Sequence, residues 1–202
     1  MLRALLLLLL VAACRTAPAS SAPLGPPDAG APAPGEQPTA AEACALTACR
    51  PPRTVTLVLD GGEREMRQEL PPFPYVYQEV VYVVPGDDFR VTGEVKGDRL
   101  VGLRVVREGE QVPLSLRIRF EQEVESPSTQ RMVLALDSSL PRALAYRVSM
   151  LQAETAGFQP TRGCPVPAGA TVYESWPQPL RTLVLEDLRF VELPGAGSPE
   201  CE

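Results

Sequence analysis

The chain has 202 residues, 45% hydrophobic and 22% charged, with a formal net charge of -6, twenty-three prolines, five cysteines and no histidine. That length suits one domain with extensions. Lack of histidine excludes Ser-His-Asp and Cys-His catalysis and His-containing zinc sites, and an acidic chain with no two adjacent basic residues lacks the concentrated positive surface of a nucleic-acid binder.

Met1-Leu2-Arg3 supplies a positive start, and Ala4 to Ala13 is an apolar run about half as long as a membrane-spanning helix requires. This is the pattern of a signal peptide. The run ends in Val11-Ala12-Ala13-Cys14: an aliphatic residue, two small residues, then cysteine. The segment resembles the lipobox of bacterial lipoprotein precursors. That resemblance implies removal of residues 1–13, a diacylglycerol on the Cys14 thiol and a mature protein anchored to a membrane without spanning it. Two or three acyl chains, at about 0.8 kcal/mol per buried methylene, hold such a protein essentially permanently. In the same family an Asp after the lipidated cysteine favours retention at the inner membrane; here the position is Arg15, so the outer membrane is expected. An ordinary secretory signal with an incidental cysteine is the alternative.

Residues 14–41 carry prolines at 18, 23, 26, 27, 32, 34 and 38 among Ala, Ser and Gly, with Leu24 as the one bulky aliphatic. Such a stretch buries too little apolar surface to offset its ordering entropy. It is expected to be a disordered, partly polyproline-II tether. A neutral spacer is the simplest role, and a proline-rich ligand the alternative.

Residues 42–202 are expected to form the folded domain. Thr39-Ala-Ala-Glu42 has capping-box spacing, and Cys44, Ala45, Leu46 and Ala48 follow it, which predicts one short helix ended by Pro51. Beyond it the period is two. Between Val112 and Val124 the even positions are mostly apolar, whereas Arg117, Arg119, Glu121 and Glu123 occupy odd ones; this alternation predicts a strand with one dry face. Similar strands are predicted around Val55-Leu57-Leu59, Met132-Leu134-Leu136 and Leu144-Tyr146-Val148-Met150. Turn signals stand at Asp60-Gly61-Gly62, Pro85-Gly86-Asp87, Lys96-Gly97-Asp98, Glu108-Gly109-Glu110, Ser126-Pro127-Ser128 and Asp137-Ser138-Ser139. The expected fold is all-β: an antiparallel β-sandwich of eight or nine strands, with an immunoglobulin-like arrangement as the default on strand count alone, and one short N-terminal helix. Gln78–Val84 and Thr182–Leu185 are apolar at both parities, which suggests strands covered on both sides or a bulge.

With Cys14 given to lipid, Cys44, Cys49, Cys164 and Cys201 remain, an even number suited to two disulfides in an exported protein. Three pairings are open. In an uninterrupted helix, positions 44 and 49 lie about 140° apart, too far to bridge, which favours pairing both with Cys164 and Cys201. A four-cysteine metal site lacks the required close spacing, and no metal or cofactor is expected.

Candidate chemistry is sparse. Glu121, Glu123 and Glu125 share a strand face at a separation compatible with paired carboxylates, yet Arg117 and Arg119 share that face, so a solvated charged surface is expected. Asp87 and Asp88 fit a turn. Ser138 and Ser139 have no base beside them in sequence, and Lys96 is the only lysine. Tyr75, Tyr77, Tyr173 and Trp176 are the candidate binding residues: aromatic surfaces stack on sugars or anchor protein partners, although the same residues could cap the ends of the core. The segment 163–190, Gly163-Cys-Pro-Val-Pro-Ala-Gly169, then Glu174-Ser-Trp176-Pro-Gln-Pro-Leu180 and a strand, reads as a family signature with no activity attached. The expected role is a non-catalytic binding or assembly module of the envelope with a protein or glycan partner; a carboxylate-dependent hydrolase is the rival class.

Overall fold

A computed structural model describes residues 39–126 and 129–193. The expected signal peptide, the expected lipidation site Cys14, most of the expected tether, the turn residues 127 and 128, and Cys201 lie outside the described residues.

Thr39 and Glu42 form the expected capping box: the Thr39 amide donates to the Glu42 carboxylate at 2.7 Å, and the Glu42 amide donates to the Thr39 hydroxyl at 3.3 Å. They start helix α1, Ala40–Leu46. The helix stops well before Pro51, because Thr47 is extended at φ -144° and ψ 169°. This reversal corrects the expected cysteine pairing. Cys49 returns alongside the helix and bonds to Cys44, with 5.5 Å between their Cα atoms, so neither pairs with Cys164 or Cys201. Cys164 is itself disulfide-bonded.

Two small ribbons follow. Strand β1 (Cys49–Arg50) pairs with β4 (Phe73–Pro74), and β2 (Arg53–Leu59) pairs with β3 (Arg64–Leu70) across the predicted Asp60–Gly62 turn. Val55, Leu57 and Leu59 point inward from β2 as their spacing predicts. β3 was not among the expected strands. Its sequence, Arg-Glu-Met-Arg-Gln-Glu-Leu, carries the polar, charged pattern by which edge strands avoid pairing with other chains.

The remaining strands are β5 (Val76–Tyr77), β6 (Val80–Val83), β7 (Asp87–Lys96), β8 (Arg99–Val105), β9 (Leu116–Ser126), β10 (Thr129–Ser138), β11 (Ala143–Gln152), β12 (Gln159–Thr161), β13 (Thr171–Trp176) and β14 (Leu180–Val191). They form one antiparallel sheet of ten strands in the order β12-β11-β14-β8-β7-β9-β10-β13, with β6 also pairing β14 and β5 pairing β6. The all-β, antiparallel, sandwich-like class and the single short helix are as expected. Fourteen strand segments among the described residues exceed the expected eight or nine, since short pieces such as β1, β4 and β12 carry no periodic signal.

A single sheet can enclose a core only by folding over, and the two ends of this one are tied together. The Trp176 indole on β13 donates to the Thr161 hydroxyl on β12 at 3.2 Å. Val166, in the connector between β12 and β13, makes a backbone bridge to Leu144 on β11. Glu174 on β13 accepts from the Tyr146 hydroxyl on β11 and from the Cys164 amide, the latter at 2.6 Å. The β2-β3 ribbon docks through Gln122 of β9, whose side-chain amide bonds both the N–H and the C=O of Val58 at 2.8 Å. Inside, Leu57, Ile118, Phe120, Leu134, Leu144 and Leu183 belong to one continuous core.

Two details differ from expectation. β9 alternates as predicted only through Phe120; Gln122 is given to Val58, and Val124 is half exposed. Asp137 and Ser138 continue β10 instead of turning, because Asp137 is paired with both Arg117 and Thr171 in the neighbouring strands.

Candidate binding groove

The apolar residues at both parities of β6 and β14 have a direct structural meaning. On the inner face, Val81, Val83, Leu183 and Leu185 are buried in the core. On the outer face, Val80, Tyr82 and Val184, with Leu151 of β11, form the floor of a groove of about 730 Å³. Ala40 and Ala43 of α1, the β3 end at Leu70-Pro71, Phe73-Pro74 of β4 and the β5-β6 turn wall it in, and Phe158 stands at its rim, 50% exposed. The second apolar face of these strands is thus only partly covered by protein.

One wall is rigid and aromatic. Phe73 meets Tyr82 edge to face at 5.1 Å between ring centroids. Behind them lies Arg50, 2% exposed, held by every nitrogen of its guanidinium. Nε donates to both oxygens of Asp87 at 3.0 Å, Nη1 to the Pro74 carbonyl at 2.7 Å, and Nη2 to Asp87 at 2.6 Å and to the Tyr82 carbonyl. The Tyr75 ring packs against the guanidinium at 4.2 Å, a cation–π contact strengthened by desolvation. Asp87, also 2% exposed, accepts further bonds from Arg53 at 2.7 Å and from the Val84 amide at 2.8 Å. A buried charge survives only when fully partnered. Here the network locks β4, β6 and the start of β7 together beneath the groove. Asp87 is therefore a buried strand residue, not a solvated turn residue; the turn itself is Pro85-Gly86, with Gly86 at φ +84°.

Backbone strain gathers at the opposite end. The β5-β6 hairpin closes through Gln78 and Glu79, both left-handed at φ 49° and 64°. This is the shape of a type I′ turn, normally built from Asn and Gly. Glu79 helps hold it by accepting from the Gly102 amide of β8 at 2.9 Å. Close by, Asp187 of β14 is also left-handed at φ 56° and pairs with Arg99. Of four non-glycine residues with positive φ among the described residues, three border this end of the groove or the adjoining hollow. Such strain costs of order 1–3 kcal/mol per residue and concentrates at ligand clamps and switch regions.

The polar residues lining the groove are Gln68, Tyr77, Gln78, Tyr82, Ser149, Thr182 and Glu186, together with the fully bonded Arg50. Burial first, then the nearby Glu186 and Tyr77, pushes the Tyr82 hydroxyl above its ordinary pKa. It stays a neutral donor. Largely apolar walls with a minority of polar groups suit binding of an extended apolar ligand.

The sequence-derived candidates do not assemble into one surface. Tyr75 is committed to Arg50 and to Phe89, 4.6 Å away between centroids. Tyr77 lines the groove. Tyr173 lies on β13 and is 68% exposed, whereas Trp176 on the same strand is buried at the closure of the sheet. Glu123 and Glu125 are both bridged by Arg131, at 2.7 and 3.3 Å, and Arg117 pairs with Asp88 at 2.7 Å. That face is a network of surface ion pairs. The first part of the 163–190 signature serves the seam: Gly163, Cys164, Val166, Glu174 and Trp176 all take part in the closure, and a Cβ on Gly163 would lie 3.0 Å from the Tyr146 ring. No family model, curated protein or solved structure matches the chain.

Proposed function

We propose that this protein is a lipid-anchored module of the bacterial envelope that binds, without catalysis, an extended apolar segment in the groove over β6 and β14. The lipobox-like Val11-Ala12-Ala13-Cys14 supports the anchor. The observation that carries the binding role is the groove itself: an outward apolar floor on strands whose other face already fills the core, walled by aromatics and bordered by strained backbone. Its scale, about 730 Å³, falls within the usual range of ligand sites. The aromatic quartet offers weaker support for glycan recognition, since Trp176 is consumed by the fold and Tyr75 by Arg50.

The test uses the full chain in its native membrane with the photoreactive residue p-benzoylphenylalanine replacing Phe158 at the groove rim or, as control, Arg131 on the charged face. Irradiation is expected to give a discrete adduct from position 158 and none of the same mass from position 131. Identical products from both positions, or none from 158, would overturn the binding role of the groove.

A further inference from the structure

The outward face of the groove floor changes character along its length. The register stacks three cross-strand rows there: Leu151 with Thr182, Ser149 with Val184 and Tyr82, then Arg147 with Glu186. Gln159 of β12 pairs with Met150, which brings Phe158 beside the first row, whereas the third row is charged. Successive rows on one face of a strand lie about 6.5–7 Å apart, so the three rows span about 13–14 Å, the length of roughly five extended residues.

Two kinds of polar group stand along this path. The side chains of Gln68, Ser149 and Thr182 line the groove, are half-buried and make no hydrogen bond among the described residues. A hydrocarbon chain laid over them would take them from water with nothing in exchange, at a cost of about 1–3 kcal/mol for each group left unpaired. A peptide backbone instead brings an acceptor with every residue and a donor with all but proline.

The second kind is Glu186, the one carboxylate among the residues lining the groove. It makes no hydrogen bond among the described residues. Its ion pair with Arg147 is loose, at 3.7 Å, and Arg147 is 67% exposed and shared with Asp187 at 3.8 Å. Arg50, the one arginine of the groove, is already bonded through every nitrogen. The charge that the groove offers a ligand is therefore negative, which a lysine or arginine side chain complements and a carboxylate opposes.

We infer that the ligand of the groove is an extended peptide segment of another protein, apolar where it passes Phe158, Leu151 and Tyr82, with a Lys or Arg that meets Glu186. Every second side chain of such a segment faces the floor. This inference rests on the binding role proposed for the groove and names its ligand class.

The experiment selects random short peptides displayed on phage against the full chain, purified in detergent, and against its Glu186→Gln and Glu186→Lys variants, each verified as folded by its melting curve. The expected sequences carry apolar residues at alternate positions and a Lys or Arg at one end, that basic residue enriched about fivefold over the library, as one exposed charge pair supports. Glu186→Gln should remove the basic preference and Glu186→Lys replace it with Asp or Glu, with the apolar positions kept. No enriched sequence, enrichment without a basic residue, or a basic preference that survives both changes at position 186 would overturn the proposal. If position 158 still gives its discrete adduct while the selection fails in any of these ways, or if that adduct has the mass of a phospholipid, the groove reading stands and the peptide assignment falls. If both experiments are silent, both fall.

Discussion

Arg50 and Asp87 show how much stability can rest on two side chains that no sequence pattern connects. They are thirty-seven positions apart, and each is ordinary in its local context. Only the pairing of β1 with β4 brings the guanidinium under the groove wall. Removing one partner strands the other charge in the core, so Asp87→Ala is expected to cost about 3–5 kcal/mol by urea unfolding, whereas Arg131→Ala on the solvated face should cost less than about 1 kcal/mol. Glu174 makes a second test. Burial outweighs its bonds to Tyr146 and Cys164 and raises its pKa, and its second oxygen has no partner. A carboxyl with a raised folded-state pKa favours the fold while protonated; that contribution is lost as pH climbs from the ordinary carboxylate value of 4.5 through the raised one. Glu174→Gln should therefore match the wild type in acid and be more stable at neutral pH, as read from paired melting curves across that window. Glu110 has the opposite sign. Its bonds to Arg104 and the Arg107 amide hold it down to about 2, so its support of the Arg107-Glu110 turn persists until strongly acidic pH.

Individual elements divide into those their sequence announces and those it conceals. The Thr39-Glu42 box, the alternation through Phe120 and the Pro85-Gly86 turn are local signals, and each appears in the structure where its residues stand. β3 and the two-residue strands lack such a signal, because charge on an edge strand and mere brevity both erase the period. The cysteine pairing turned on where α1 ended. The helix ended at Leu46, three residues short of Cys49, and no residue there is a strong breaker. The groove was half legible: apolar residues at both parities of β6 and β14 marked a second apolar face, but whether protein covered it depended on distant elements. Two predictions belong at this scale. Gln78→Asn suits the left-handed turn better and is expected to raise stability by about 0.5–1 kcal/mol in thermal unfolding, provided the strained residue serves binding and not folding. Trp176→Ala removes both a buried ring and the Thr161 bond, and should cost about 3–5 kcal/mol.

For the whole molecule, the proposed anchor and the fold make separate demands. Cys14→Ser is expected to abolish labelling by radioactive palmitate and release the protein from the membrane fraction, while leaving the melting temperature of the domain unchanged. Retention in membranes with no label would point to an uncleaved signal segment instead. The fold itself has a property that follows from its seam. β12 and β13 are neighbours along the chain, separated by residues 162–170, yet they stand at opposite ends of the hydrogen-bonded path. The connector is thus a covalent clasp across a join otherwise made by a few polar contacts and one backbone bridge. A protease cut beside the exposed Phe158 would free one end of that clasp without removing an atom of the core. The continuous chain would no longer run from β11 to the seam, and the join would be left to the pairing of β12 with β11 and to the contacts of Glu174, Trp176 and Val166.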